Sequence, residues 1–248
     1  MKNKVKFKTK LYATLLGLCM VFGFTDSSGQ DTGGGSVGDL AIGAKVGVNF
    51  NQFSQPGTTM GGSIGGYARY GFLEFLEVQG ELIYSLKGGG RREFTRFPSS
   101  LSDGLVNSVQ YINRDIQLHT LEIPISVRLT LPELNGGAIV PKLILGGSYS
   151  YNFAAFEKSD AIFYFDNGNR GLVSDTRENV KGDYFPHQYS AHAGIALDFN
   201  LENSKVFTME FRYRKGFNNL NKVNTIVTEL TDRLYSSGMS INFSYRIF

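Results

Sequence analysis

The chain has 248 residues, with 25 Lys plus Arg against 22 Asp plus Glu, three His, one Cys and no Trp. A single cysteine excludes a disulfide framework, and the near balance of charge gives no evidence for nucleic acid. The 30 Gly, 20 Phe and 13 Tyr suit strands and turns and fit a helical bundle badly.

Residues 1–30 stand apart from the rest. Lys2, Lys4, Lys6, Lys8 and Lys10 form a basic region, Leu11 to Phe24 an apolar one, and Thr25 to Gln30 a short polar stretch. That order is the layout of a cleaved signal peptide, with cleavage expected near Gly29 or Gln30. The apolar region is too short to span a bilayer as a helix, which needs about 20 residues. Cys19 lies inside it, behind Leu18 rather than a small residue, so neither a lipid anchor nor a disulfide is expected. Without this segment 20 basic and 21 acidic residues remain, so the formal charge of +3 belongs mostly to the signal. Residues 31–39 read as a flexible Gly-rich lead-in, and residues 40–248 as one domain.

Past the signal no run of 18 apolar residues occurs. A chain of this kind spans lipid only as a closed barrel, because every backbone amide in hydrocarbon needs a partner. The pattern that follows is alternation with period two. Residues 40–50 set Ile42, Ala44, Val46, Val48 and Phe50 against Lys45 and Asn49. Residues 62–72 set Ile64, Ala68, Tyr70 and Phe72 against Ser63, Tyr67 and Arg69. Residues 76–87 set Leu76, Val78, Leu82, Tyr84 and Leu86 against Glu77, Gln79, Glu81, Ser85 and Lys87. Residues 121–131 set Leu121, Ile123, Ile125, Val127 and Leu129 against Glu122, Pro124, Ser126 and Arg128. Residues 140–153 set Leu143, Leu145, Tyr149, Tyr151 and Phe153 against Lys142, Ser148 and Ser150. Residues 188–201 set Tyr189, Ala191, Ile195, Leu197 and Phe199 against Ser190, His192 and Asp198. Residues 205–217 set Phe207, Met209, Phe211 and Tyr213 against Thr208, Glu210, Arg212 and Arg214. Residues 234–248 set Met239, Ile241, Phe243, Tyr245 and Ile247 against Ser240, Asn242, Ser244 and Arg246.

Eight strands of at least ten residues predict an all-β fold, an eight-stranded antiparallel up-and-down transmembrane β-barrel. The short connections are 73–75, 132–137 and 202–204. The long ones are 51–61, 88–115, 154–187 and 218–233. Alternating lengths of this kind belong to a barrel with short periplasmic turns and long outer loops. The polar face collects Lys45, Arg69, Glu77, Glu81, Lys87, Glu122, Arg128, Lys142, Asp198, Glu210, Arg212 and Arg214, and the other face is almost uncharged. No helix is at hand to cover a soluble barrel, so the charged face is read as the lumen and the apolar face as the lipid side. Phe50, Tyr84, Tyr149, Tyr151, Tyr189 and Phe217 gather toward the long-loop ends. Phe72, Phe75, Phe199, Phe207, Tyr245 and Phe248 gather toward the short turns, as two interfacial belts would. Two features disturb the pattern. Pro124 removes a ladder donor in mid-strand, where a bulge is expected. At the end, Ile247 rather than Phe248 continues the apolar register.

Four segments carry a family resemblance: residues 47–51 (Gly-Val-Asn-Phe-Asn), residues 76–88, the Leu-Glu-Ile-Pro at Leu121 to Pro124, and the ending Ser244-Tyr245-Arg246-Ile247-Phe248. Together they resemble the porin-like outer membrane β-barrel family typical of Bacteroidota, which includes PorT-like secretion components. The ending has one residue more than that family's usual Tyr-Arg-Phe. The resemblance covers about residues 40–248. It implies the barrel fold, a place in the cell envelope, and assembly by the barrel assembly machinery, but little about activity.

Four candidate sites follow, each with a plain alternative. The charged face either lines an ion path or pairs with itself as a plug, because an eight-stranded barrel is just wide enough to be filled by side chains. Ser190, His192 and Asp198 share a face, but Asp198 lies about 20 Å along the strand from His192 at roughly 3.3 Å per residue, so a triad would need a carboxylate from another strand, such as Glu210. Residues 166–171 begin like a calcium loop but lack its acidic spacing, so neither a metal nor a cofactor is expected. Arg91, Arg92 and Arg96 form a basic loop cluster, suited either to lipopolysaccharide phosphate or simply to solvent. The leading reading is a non-enzymatic outer membrane barrel, structural or porin-like, with recognition in its long loops. It sits among outer membrane lipid and lipopolysaccharide, with unidentified envelope partners and no nucleic acid. An accessory component of a secretion or adhesion machine comes second, and a membrane-embedded lipid-modifying enzyme third.

Overall fold

In this computed structural model the described residues are 37–54, 57–91, 94–96, 106–134, 138–165, 168–201, 205–222 and 233–248. The signal segment 1–30 and residues 31–36 of the lead-in lie outside them. The described residues form ten strands: β1 (Leu40–Phe53), β2 (Thr58–Leu73), β3 (Leu76–Arg91), β4 (Phe94–Arg96), β5 (Val106–Thr130), β6 (Ile139–Phe165), β7 (Arg170–Asn179), β8 (His187–Asn200), β9 (Val206–Gly216) and β10 (Ser236–Arg246). All pair antiparallel. Eight of them form a ring in the order β1, β2, β3, β5, β6, β8, β9, β10, and β10 returns to β1. The seam between first and last strands runs from Gly43 opposite Arg246 to Phe53 opposite Ser236. Strands β4 and β7 lie on the outer parts of β5 and β6.

Alternation builds this ring because a strand turns successive side chains to opposite faces. Along β1, Lys45, Asn49 and Asn51 are buried, while Ile42, Val46, Val48 and Phe50 are exposed. Tyr67 shows how the inner wall is fitted. It stands opposite Gly43 in the β1–β2 ladder, and a Cβ on Gly43 would come within 2.5 Å of the Tyr67 ring and hydroxyl. Glycine therefore lets the ring lie flat against the wall, with the Arg69 guanidinium 5.2 Å from its centre.

Several sequence expectations need correction. The connection read as residues 51–61 is only 54–57, because β1 and β2 extend further than their apolar patterns. The connections read as 88–115 and 154–187 are largely strand. β5 and β6 stay paired from Val106 opposite Phe165 to Thr130 opposite Lys142. Register shifts at Val106/Ser108, Ile112/Asp115 and His119/Thr120 break the alternation there, since each added residue turns the following side chains to the other face. Pro124 causes no bulge. The β3–β5 ladder keeps one register from Gly80 opposite Ile125 to Ile83 opposite Glu122, and the strands are simply unpaired between. The bulge lies instead at the chain end. Ile42 O accepts from both Ile247 N (2.8 Å) and Phe248 N (3.2 Å), which absorbs the extra terminal residue. The end of the lead-in is also tied down: Gly38 N donates to Gly71 O at 2.8 Å, and Arg246 pairs with Asp39 at 2.8 Å.

The interior has two zones. Polar side chains fill it from the short-turn end upward. At the long-connection end Phe53, Ile116, Leu118, Ala155, Tyr184, Leu220 and Leu234 form a buried apolar cluster. The connections reach across to build it: Phe185 N donates to Leu220 O and Leu220 N to Leu234 O, both at 2.8 Å.

Candidate functional site: the charged interior

The twelve charged residues singled out from the sequence come from seven strands of the ring and converge inside it. Near the short turns, Asp198 accepts from Arg69 at 3.0 Å, Arg128 at 3.2 Å and Lys142 at 2.9 Å. Glu77 lies 2.6 Å from Lys142 and 3.6 Å from Arg128. One level up, Lys45 meets Glu81 at 3.1 Å and Glu210 at 2.9 Å, and Arg212 reaches both carboxylates at 2.7 Å. Arg128 links the two levels through Glu210 at 3.4 Å. Higher again, Glu122 receives Lys87 at 2.8 Å and Arg214 at 3.1 Å. Arg128 is wholly buried, and Arg212, the most exposed of the buried members, shows only 9% of its surface.

Ions taken out of water are tolerated only when neighbouring charges and hydrogen bonds replace the lost hydration. Neutral groups complete this one. Gln79 accepts from Arg69 Nε at 2.9 Å and Arg128 at 3.1 Å, and donates to Glu81 at 2.6 Å. Thr208 donates to Asp198 at 2.6 Å and Ser148 to Glu122 at 2.8 Å. Gln79 sits on the charged face of its strand in the sequence, but nothing there marks it as the hub between two arginines. Arg114 with Glu157 (2.5 Å), nearer the apolar cluster, is a further buried pair that the alternation missed.

The other candidates fall apart or beyond view. Ser190 bonds Ser148 at 2.6 Å, Asp198 serves three cations, and His192 Nε2 has no hydrogen-bond partner. His119 and His187 bond the hydroxyls of Tyr84 (2.8 Å) and Tyr149 (2.7 Å). Of the basic cluster, Arg91 ends β3 and Arg96 ends β4, while Arg92 lies outside the described residues. Asp166 and Asn167 of the calcium-like stretch also lie outside them. Among the described residues, no group of three or more His, Cys, Asp and Glu is placed to hold a metal ion, and no helix is long and apolar enough to cross a membrane.

The outer face is the inverse of the interior. Leu145 is 67% exposed and Ile125 61%, and similar side chains continue around the eight strands. Soluble monomers rarely show contiguous apolar patches beyond a few hundred Å². A ring with ions inside and hydrocarbon side chains outside is the construction of a β-barrel that lives in lipid. Over residues 26–222 the chain matches the family described as outer membrane protein beta-barrel domain, and it belongs to that family. Among solved structures it is similar to Neisserial surface protein A, at 12% identity and a TM-score of 0.43, covering 83% of this chain and 95% of that one. It is also similar to OprG from Pseudomonas aeruginosa, at 12% identity and 0.40, covering 87% and 99%. A third is Ail, the attachment invasion locus protein of Yersinia pestis, at 14% identity and 0.36, covering 84% and 99%. None of the curated proteins compared with the chain matches it.

Proposed function

We propose that the chain is exported by the signal in residues 1–30 and embeds in the outer membrane as a closed, non-enzymatic barrel. Its interior is a salt-bridged plug rather than an open pore, and its long connections carry recognition. One observation supports this above all: charged side chains from seven strands meet in ion pairs across the ring, and an apolar cluster lies above them. Single-channel recording of the purified barrel in planar bilayers tests the reading. No stable open conductance is expected, and steady ohmic steps would refute the plug.

A second reading, an accessory component of a secretion or adhesion machine of the PorT-like kind, has its own support. β5 and β6 continue past the ring and carry β4 and β7 on their outer parts. Affinity purification from membranes distinguishes the two: recovery of the barrel alone counts against a machine.

A further inference from the structure

We propose that the upper part of the ring interior holds a small inorganic anion of halide size, bound by Arg214, Arg212, Lys45, His192, Asn49 and Ser85. The inference rests on the closed, filled interior proposed above. The first observation is a charge mismatch. Seven cations face five carboxylates in the twelve-residue set, and one of the two unmatched positive charges falls at the upper level. There Lys87 and Arg214 both draw on a single oxygen, Glu122 Oε2. No other buried carboxylate among the described residues forms an ion pair with either of them.

The second observation is space. A cavity of about 30 Å³ opens beside these groups, lined by the six proposed residues and by Glu122. A water-sized occupant needs about 10–15 Å³ by this measure, so the cavity accepts one or two such bodies and excludes a large organic anion.

The third observation is chemical. Asn49 Nδ2, Ser85 Oγ, His192 Nε2, Arg212 Nε and Arg214 Nε are all buried without a hydrogen-bond partner. The amide and guanidinium nitrogens are donors only, and Ser and His can donate as well. Buried donors almost always find an acceptor. Water would accept from them but would leave the surplus positive charge uncompensated, and an uncompensated buried charge is the costly case. An anion satisfies donors and charge together.

The test uses the mature barrel in detergent micelles. Its thermal unfolding is followed by gel mobility in sodium chloride and in sodium gluconate at equal ionic strength, gluconate being too large for the cavity. The midpoint should be several degrees higher in chloride, rise to saturation with chloride concentration, and lose most of that difference in Arg214→Gln. Asn49→Ala should reduce it, and serves if Arg214→Gln does not fold. Crystals soaked in bromide should show an anomalous peak in the cavity. Equal midpoints in both salts, a chloride effect unchanged in the variants, or water alone in the bromide crystals would each overturn the proposal. Conductance is read separately, so an open pore would refute the plug while the anion melt is judged on its own.

Discussion

Asp198→Asn is the sharpest perturbation of the buried network. The change keeps the side chain's shape and removes one negative charge from a group that is 3% exposed. Asp198 makes the closest ion pairs of Arg69 (3.0 Å) and Arg128 (3.2 Å) and a short one to Lys142 (2.9 Å). Without it the nearest carboxylate left to Arg69 is Glu77 at 3.7 Å, and Arg128 retains Glu77 at 3.6 Å and Glu210 at 3.4 Å. Breaking one partner of a buried pair costs about 3–5 kcal/mol, and three cations lose a partner here, so the upper end of that range is expected. Adding Lys142→Met removes one of the cations that has lost a partner, the one that still holds Glu77 at 2.6 Å. The double variant should then be less destabilised than the sum of the single changes by about 0.5–3 kcal/mol. The chain has no Trp, so the folded fraction is best read across a urea series from the migration of unheated samples on a gel. A loss under about 1 kcal/mol, the size of a surface pair, would show that the interior is wet and that the reasoning fails.

Leu145→Lys places a charge on the outer face at a side chain 67% exposed. Folding into lipid vesicles should weaken by about 2–4 kcal/mol if the site is near the bilayer midplane, and an unchanged folded fraction would contradict a lipid-facing surface. Gly146→Ala should lower the yield of folded barrel, because the added Cβ would lie 2.3 Å from Ile125 O and 2.7 Å from His192 Nε2; normal yield would mean that the wall gives way easily. Phe53→Ala removes the largest fully buried member of the upper cluster and should cost about 3–5 kcal/mol in the same urea assay. A negligible cost would show that the cluster does not pack.

Period two is readable along the ring because each strand borders two different media. Lys45, Glu81 and Glu210 fall on the uncharitable side for lipid in three separate strands, and their side chains meet in the structure. Which cation meets which carboxylate was not readable. Lys45 and Glu210 are 165 residues apart, and their pairing depends on how the strands are staggered around the ring. The outer reaches of β5 and β6 escaped for a different reason. They carry polar and apolar residues on both faces, and three register shifts scramble what alternation remains. The apolar cluster escaped as well, because Leu220 sits in a connection without periodicity and Leu234, read as the start of the last strand, lies before β10 and packs with residues from distant strands.

The seam between β1 and β10 sets an order of events during synthesis. Until residues 236–246 have been made, β1 has no neighbour on one side and β9 none on the other. Two raw edges therefore persist while nearly the whole polypeptide is already present, and such edges invite pairing with foreign strands. The contact that removes them joins the most widely separated parts of the sequence, which makes it slow to find. Until those two ends meet, both flanks stay uncovered.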